Sequence, residues 1–157
     1  MNKFIPGSRF LILSVLVLFL NSCTPQSCFE QTEAFVNATL YLNSTGKLLA
    51  PDSLTIYGAN MEMSKLYNNS KSITTAVLPL NASASHCTYV IKINGITDTI
   101  EFRYTSYPYL ISKECGYTFY HNLISDSLTY SKNIIDSIYI RNNNISTFNE
   151  ENIRIFY

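Results

Sequence analysis

The chain has 157 residues, which is the length of one domain with a substantial core. Its 11 basic residues balance 11 acidic ones, and without a basic stripe or an acidic tail this composition excludes a nucleic-acid partner held by charge. Aromatic residues make up 13% of the chain while Gly numbers only five, a composition that favours half-buried β-strands.

The first element in chain order is an export signal. Lys3 and Arg9 supply positive charge, and an apolar run extends from Phe10 to Leu20. The run has 11 residues, whereas a membrane-spanning helix needs about 20. Residues 1–22 are therefore predicted to be a signal peptide and not a transmembrane anchor.

The apolar run ends in Leu20-Asn21-Ser22-Cys23, which resembles the bacterial lipobox. The resemblance implies that the Cys23 thiol receives a diacylglycerol, that the chain is cut before Cys23, and that the new amine is acylated, for example with palmitate. Two or three acyl chains hold a protein stably in a membrane, where one does not. The alternative is an ordinary cleaved signal with Cys23 as a disulfide partner.

Residues 23–34 are predicted to be the lipidated Cys and a short tether. Thr24-Pro25-Gln26-Ser27 is polar and has no acidic residue. Lipoproteins retained at the inner membrane of many bacteria carry Asp directly after the lipidated Cys, and surface-exported ones in some phyla carry an acidic cluster there. By analogy with both rules, we expect the outer membrane, with the domain facing the periplasm.

Residues 35–157 are predicted to form one antiparallel β-sandwich, immunoglobulin-like or related, of seven to nine strands. Short strand patterns recur with turn signals between them, as in sandwiches and barrels. The predicted strands are 35–42, 54–57, 73–80, 88–93, 96–104, 107–112, 117–123, 134–141 and 153–157. Residues 60–72 are expected to be a loop, with 61–67 as the only candidate for a short helix.

The clearest local signal is the dipeptide Asn94-Gly95 between two strand patterns. Both residues of a two-residue hairpin turn need positive φ, which Asn and Gly tolerate. After the turn, Ile100, Phe102 and Tyr104 alternate with polar residues. The pattern predicts a hairpin whose second strand has one buried face and one wet face.

Three cysteines follow Cys23, at positions 28, 87 and 115. The compartment beyond the inner membrane permits disulfides, and the wide spacings match no zinc pattern. Three cysteines allow one bridge within the chain and leave one thiol free. One possibility joins Cys28 in the lead-in to Cys115 at a Gly-marked bend; the other joins Cys87 to Cys115 across a sheet.

Several segments resemble an uncharacterised lipoprotein family of Gram-negative bacteria, domain of unknown function 6452. They are Tyr104 with Tyr107, residues 111–117, 135–138 and 151–156, and the early Cys28. The resemblance implies a lipid-anchored all-β domain, and it assigns no catalytic residue. Its pattern includes Cys28 and Cys115 and omits Cys87. We therefore predict the Cys28–Cys115 disulfide, with Cys87 reduced.

Candidate catalytic groups form no recognisable set. His86 and Cys87 are adjacent on a strand and point to opposite faces, so they cannot form a couple. His121 could serve Cys87 or Cys115 only if the fold joined them, and we expect both His side chains at the surface. The acidic residues select no pair, and there is no nucleophile elbow, phosphate loop or calcium loop. We expect no enzyme activity, no metal and no cofactor.

Five tyrosines fall within 17 residues, at Tyr104, Tyr107, Tyr109, Tyr117 and Tyr120. On a sheet surface they could bind a ligand by stacking on sugar rings, or anchor a protein partner. The alternative, which we favour, is that they fill the core and its rims.

Two functions remain. The leading one is a non-enzymatic module, anchored to the membrane through Cys23, that binds or helps to assemble envelope components. The other is a binding protein for a glycan or small ligand that uses the tyrosine cluster. An envelope hydrolase is a distant third.

Overall fold

The computed structural model describes residues 27–157. The predicted signal peptide and the lipidation site at Cys23 lie outside the described residues. No helix in the described range is long and apolar enough to cross a membrane.

Two β-sheets pack face to face and confirm the predicted all-β sandwich. The strands are β1 Phe35–Leu42, β2 Lys47–Leu48, β3 Leu54–Gly58, β4 Lys65–Ser70, β5 Thr75–Pro79, β6 His86–Ile93, β7 Ile96–Ser112, β8 Gly116–Leu123, β9 Thr129–Tyr130, β10 Ser137–Ile140, β11 Asn144–Ile145 and β12 Ile153–Phe156. Between residues 27 and 157, nine strands have four or more residues. The other three have only two residues each, too few to show an alternating pattern.

The first sheet has the order β10-β12-β1-β2, with β5 also paired to β1. The second has the order β11-β8-β7-β6-β3-β4, with β9 also paired to β7. β1 and β12 run parallel, and the other strand pairs of the described chain are antiparallel. The two ends of the domain therefore meet in the middle of the first sheet.

The core lies between the inner faces of the two sheets, as strand alternation requires. The first sheet contributes Val36, Ala38 and Leu40 of β1 and Ile153 and Ile155 of β12, all with no exposed surface. The second contributes Ile91, Ile93, Ile100, Phe102 and Tyr104, which are at most 2% exposed. The predicted buried face of β7 is therefore confirmed.

The predicted hairpin is confirmed at Asn94-Gly95. Their φ values are 49° and 90°, and Ile93 pairs with Ile96 directly across the turn. The Asn94 side chain also accepts a hydrogen bond from the Ser53 N–H at 3.2 Å, which ties the turn to the start of β3.

The predicted loop at 60–72 and the candidate helix at 61–67 are wrong, because β4 runs through this segment. β4 is an edge strand that pairs with β3, and most of its side chains are exposed. A strand with both faces wet shows no alternation, so its polar sequence resembled a loop. Backbone pairing holds it, together with the Val77 N–H that donates to the Tyr67 hydroxyl at 2.9 Å.

The two strands predicted at 96–104 and 107–112 are one continuous strand, β7, of 17 residues. β6 pairs with β7 only as far as Arg103, and β8 pairs with it from Tyr104 to Ser112. Pro108 therefore lies where β7 has a free edge, a position that tolerates proline within a strand.

Asp98 of β7 is a buried carboxylate, 1% exposed, that organises the link between the sheets. It accepts hydrogen bonds from the Ser131 hydroxyl and from the N–H groups of Asn133 at 2.9 Å, Ile134 at 2.8 Å and Ile135 at 2.9 Å. These donors belong to the connection from β9 to β10. Its Ile135 is 1% exposed and fills the core.

The hydrogen bonds to Asp98 favour its ionised form. Burial by itself would raise the pKa of Asp98, but the Ser131 hydroxyl and the three backbone N–H groups outweigh it and hold that pKa below the usual value. Folding therefore stabilises the carboxylate. Asp98 therefore adds to the free energy of unfolding at pH values above the ordinary carboxyl pKa of about 4. This stabilisation is lost as the pH falls towards the lower pKa that Asp98 has in the folded protein.

Replacing Asp98 with Ala should lower the free energy of unfolding by about 3 kcal/mol at pH 7, because several buried donors lose their acceptor. Asp136→Ala, at an exposed position in the same β9–β10 connection, should lower the free energy of unfolding by less than about 0.5 kcal/mol. Urea denaturation measures both. The difference in free energy of unfolding between wild type and Asp98→Ala should be smaller at pH 3 than at pH 7. Equal costs for the two variants, or a gap that pH does not change, would contradict this role.

Candidate functional site

The end of the β7–β8 hairpin forms an arm that extends past the sandwich. We call residues 105–122 the hairpin arm. Its two strands pair along their length, from Thr105 with Asn122 to Ser112 with Gly116. β6 stops at Arg103, and β11 pairs with β8 only at His121 and Asn122. Beyond these residues the arm is a two-stranded ribbon. Gly116, with φ of 72°, permits the turn at its tip.

A disulfide between Cys28 and Cys115 ties the lead-in, residues 28–34, to the tip of the arm. The two Cα atoms are 4.8 Å apart across a sequence separation of 87 residues. The Thr118 hydroxyl adds a hydrogen bond to the Thr32 carbonyl at 2.5 Å. This pairing is the one that the sequence analysis favoured, and Cys87 is a free thiol.

One face of the arm carries three tyrosines, and the ring of Tyr120 contacts the other two. The rings of Tyr109 and Tyr120 stack with centroids 4.2 Å apart, and Tyr107 meets Tyr120 edge-on at 6.1 Å. The Tyr107 hydroxyl donates to the Asn144 side chain at 3.0 Å, and the Tyr120 hydroxyl bonds the Thr147 hydroxyl at 3.0 Å. These contacts hold β11 and the segment after it against the arm.

An open cleft of about 320 Å³ lies on this face, and we call it the aromatic cleft. Its lining comes from the lead-in, the arm and the loop after β11: Glu30, Gln31, Tyr109, Ile111, Tyr120, Thr147 and Phe148. A second cleft of about 320 Å³ shares Gln31, Thr147 and Phe148 with it. Aromatic walls with a few polar groups are typical of ligand sites.

The structure divides the five predicted ligand-binding tyrosines. Tyr104 is 1% exposed, and its hydroxyl donates to the Asn81 carbonyl at 2.9 Å, so its assignment to a ligand surface is wrong. It belongs to the alternating core face of β7. Tyr109 and Tyr120 line the aromatic cleft. Tyr107 is partly exposed beside them, and Tyr117 is 74% exposed on the opposite face of the arm.

Residues 53–157 match the model of a family of unknown function, DUF6452, over more than half of the chain. The chain belongs to this family. No curated protein and no solved structure matches it.

Residues that carried the resemblance to DUF6452 hold the fold together. Asn152 is 3% exposed; its side chain accepts from the Asn37 N–H at 2.9 Å and its amide donates to the Asn142 and Asn144 carbonyls at 3.3 Å. Glu151 accepts hydrogen bonds from the Arg154 guanidinium at 2.7 and 2.8 Å. These segments fix the C-terminal strand and the loop beside the aromatic cleft.

The free thiol of this DUF6452 chain is poorly placed for catalysis. Cys87 is half-buried, and burial raises the pKa of its thiol to about 11, with a smaller lowering from a hydrogen bond to Tyr104. A thiol with that pKa is protonated at neutral pH and is a weak nucleophile. His86 is exposed, as expected.

His121 is 3% exposed, so the expectation that both His side chains lie at the surface is wrong for this one. Its ring packs edge-on against Tyr104 at 5.4 Å, and its Nδ1 bonds the Ser106 hydroxyl at 2.8 Å. Burial lowers the pKa of His121 and favours the neutral ring. Ser106 and His121 are direct partners across β7 and β8. The serine satisfies a buried imidazole, which also explains why the histidine tolerates burial.

A larger cleft, about 530 Å³, lies elsewhere, between the turn after β3 and the start of β6. Its lining includes Asn60, Met61, His86, Cys87 and Tyr89. Within residues 27–157, no group of three His, Cys, Asp or Glu side chains could hold a metal ion. We take the aromatic cleft as the candidate site because it joins stacked rings to carboxylate, amide and hydroxyl groups.

Proposed function

We propose that this protein is an envelope lipoprotein, acylated at Cys23, that acts as a non-enzymatic binding or assembly module. It is held in the outer membrane and faces the periplasm. Its binding site is the aromatic cleft, and its partner is another envelope protein.

The distribution of exposed aromatic side chains carries this proposal. In the described part of the chain, six of the seven exposed aromatic side chains belong to the lead-in, the hairpin arm or the loop after β11. They are Phe29, Tyr107, Tyr109, Tyr117, Phe119 and Phe148, and the seventh is Tyr139. Aromatic anchors dominate the energetics of protein interfaces. Of these, Tyr109 and Phe148 line the aromatic cleft and Tyr107 lies beside it, which supports a recognition surface there.

The aromatic end of the domain lies close to the predicted lipidation site, which supports a role at the membrane. The disulfide brings Cys28, five residues after Cys23, to the tip of the arm. A lipid attached at Cys23 would present this aromatic end close to the membrane. The zero formal net charge agrees with a partner recognised by shape and apolar contact.

A glycan or small ligand is the second candidate, favoured by the composition of the aromatic cleft. Tyr109 is 45% exposed and is supported from beneath by the stacked ring of Tyr120. Glu30, Gln31 and Thr147 place hydrogen-bonding groups around it. A sugar ring can lay its C–H face on Tyr109 while its hydroxyls bond to those groups.

Cys23→Ser should move the protein out of the membrane fraction or leave it as an unprocessed precursor, because the lipid can no longer be attached. Mass spectrometry of the wild type should find an acylated N-terminus at residue 23. Cys87→Ser, at a free cysteine, should leave membrane association unchanged and is the matched control. A Cys23→Ser protein that stays in the membrane with a normally cleaved N-terminus would contradict the anchor.

A photo-crosslinking amino acid at Phe148, which is 69% exposed in the aromatic cleft, should form one reproducible adduct in living cells. The same amino acid at Tyr139, 59% exposed on another strand, is the control and should not form that adduct. An adduct that survives lysozyme treatment indicates a protein partner, and one that lysozyme digests indicates cell-wall glycan. No adduct at Phe148, or the same adduct at both positions, would contradict the cleft as the binding site.

A further inference from the structure

We propose that the second face of the hairpin arm rests in the interfacial layer of the lipid bilayer. This inference rests on the anchoring at Cys23 proposed above. It gives the two faces of one hairpin different tasks, with the aromatic cleft on one side and the membrane on the other.

The second face is a continuous apolar surface. Pro108 pairs with Phe119 and Leu110 pairs with Tyr117, so the four side chains share one side of the ribbon. Leu110 and Phe119 are each 47% exposed, and Tyr117 is 74% exposed. Together with the exposed Pro108, they form a patch at the far end of the arm.

This patch continues the core face of β7 beyond the sandwich. Phe102 and Tyr104 have the same strand parity as Pro108 and Leu110, and both are 1% exposed under the first sheet. Phe119 still lines a shallow cleft with Phe35 and Pro79 of that sheet. Beyond Phe119, no described residue covers the apolar face, and Leu110 and Tyr117 are therefore exposed.

The disulfide places this uncovered face next to the predicted lipid. Cys28 and Cys115 have Cα atoms 4.8 Å apart, and Tyr117 follows Cys115 by two residues. Cys28 follows Cys23 by five residues, and a fully extended chain of that length spans at most about 18 Å. Since the headgroup layer of one leaflet is itself about 5–7 Å thick, the tip lies within reach of the bilayer.

The side chains at the tip suit the membrane–water boundary. Tyrosine is enriched there because its ring enters the apolar layer while its hydroxyl stays hydrated. Phe29, one residue after Cys28, is 91% exposed and adds an apolar group beside the bridge. Lys113 and Glu114 are both exposed in the turn, so their opposite charges cancel there.

The absence of Trp from the chain permits a direct test. Tyr117→Trp introduces one fluorescent reporter on the second face, and Tyr139→Trp introduces one on an exposed position of β10 as the control. Each full-length lipoprotein is reconstituted in vesicles of phosphatidylethanolamine and phosphatidylglycerol. The indole emission of the Tyr117→Trp variant should shift to shorter wavelength and be quenched by lipids brominated near the headgroup end of the acyl chain. The emission of the Tyr139→Trp variant should show neither change.

Other outcomes overturn the inference in distinguishable ways. Equal emission from the two variants would show that the tip stays in water. A short-wavelength emission from the Tyr117→Trp variant without lipid quenching would show that protein, such as a second copy of this chain, covers the face. Flotation of the same vesicles checks the anchor separately. If the acylated Tyr117→Trp protein floats but its emission is not quenched, the anchor stands and the tip inference fails; if no acylated protein is formed, both fail.

Discussion

The disulfide between Cys28 and Cys115 fixes where the chain enters the domain. It joins residues separated by 87 positions, and on the chain-entropy model such a bridge raises the free energy of the unfolded chain by about 4.6 kcal/mol. Its position matters more than its energy, because it joins the lead-in to the tip of a hairpin arm that has left the sandwich. Both the aromatic cleft and the apolar second face depend on that arm being held in one place.

β7 connects the core of the sandwich to the hairpin arm. Its first half lies within the second sheet, where Ile100 and Phe102 face the core and Asp98 receives four donors from the β9–β10 connection. Its second half leaves the sheet and becomes one strand of the arm. A well-packed first half therefore supplies a rigid base for an exposed second half, which the disulfide secures at the other end.

The sequence was sufficient where local chemistry decided the structure. The Asn94-Gly95 turn, the alternation along β7 and the all-β class all follow from short-range patterns. β4 was missed because an exposed edge strand has no apolar period. β7 was divided at residues 105–106, next to the point where its partner changes from β6 to β8, and such a change of partner cannot be seen in sequence. The aromatic cleft brings together residues near positions 30, 110 and 148, which only the tertiary fold makes neighbours. His121 is buried by the same long-range pairing.

Amide hydrogen exchange of the acylated wild-type protein, oxidised and after reduction, tests most directly whether the bridge holds the arm. The account predicts that reduction speeds exchange at residues 28–34 and 105–122 and leaves the core half of β7, residues 96–103, as protected as before. Arm amides that exchange equally slowly in both states would contradict it, because the arm would then hold its place without the disulfide.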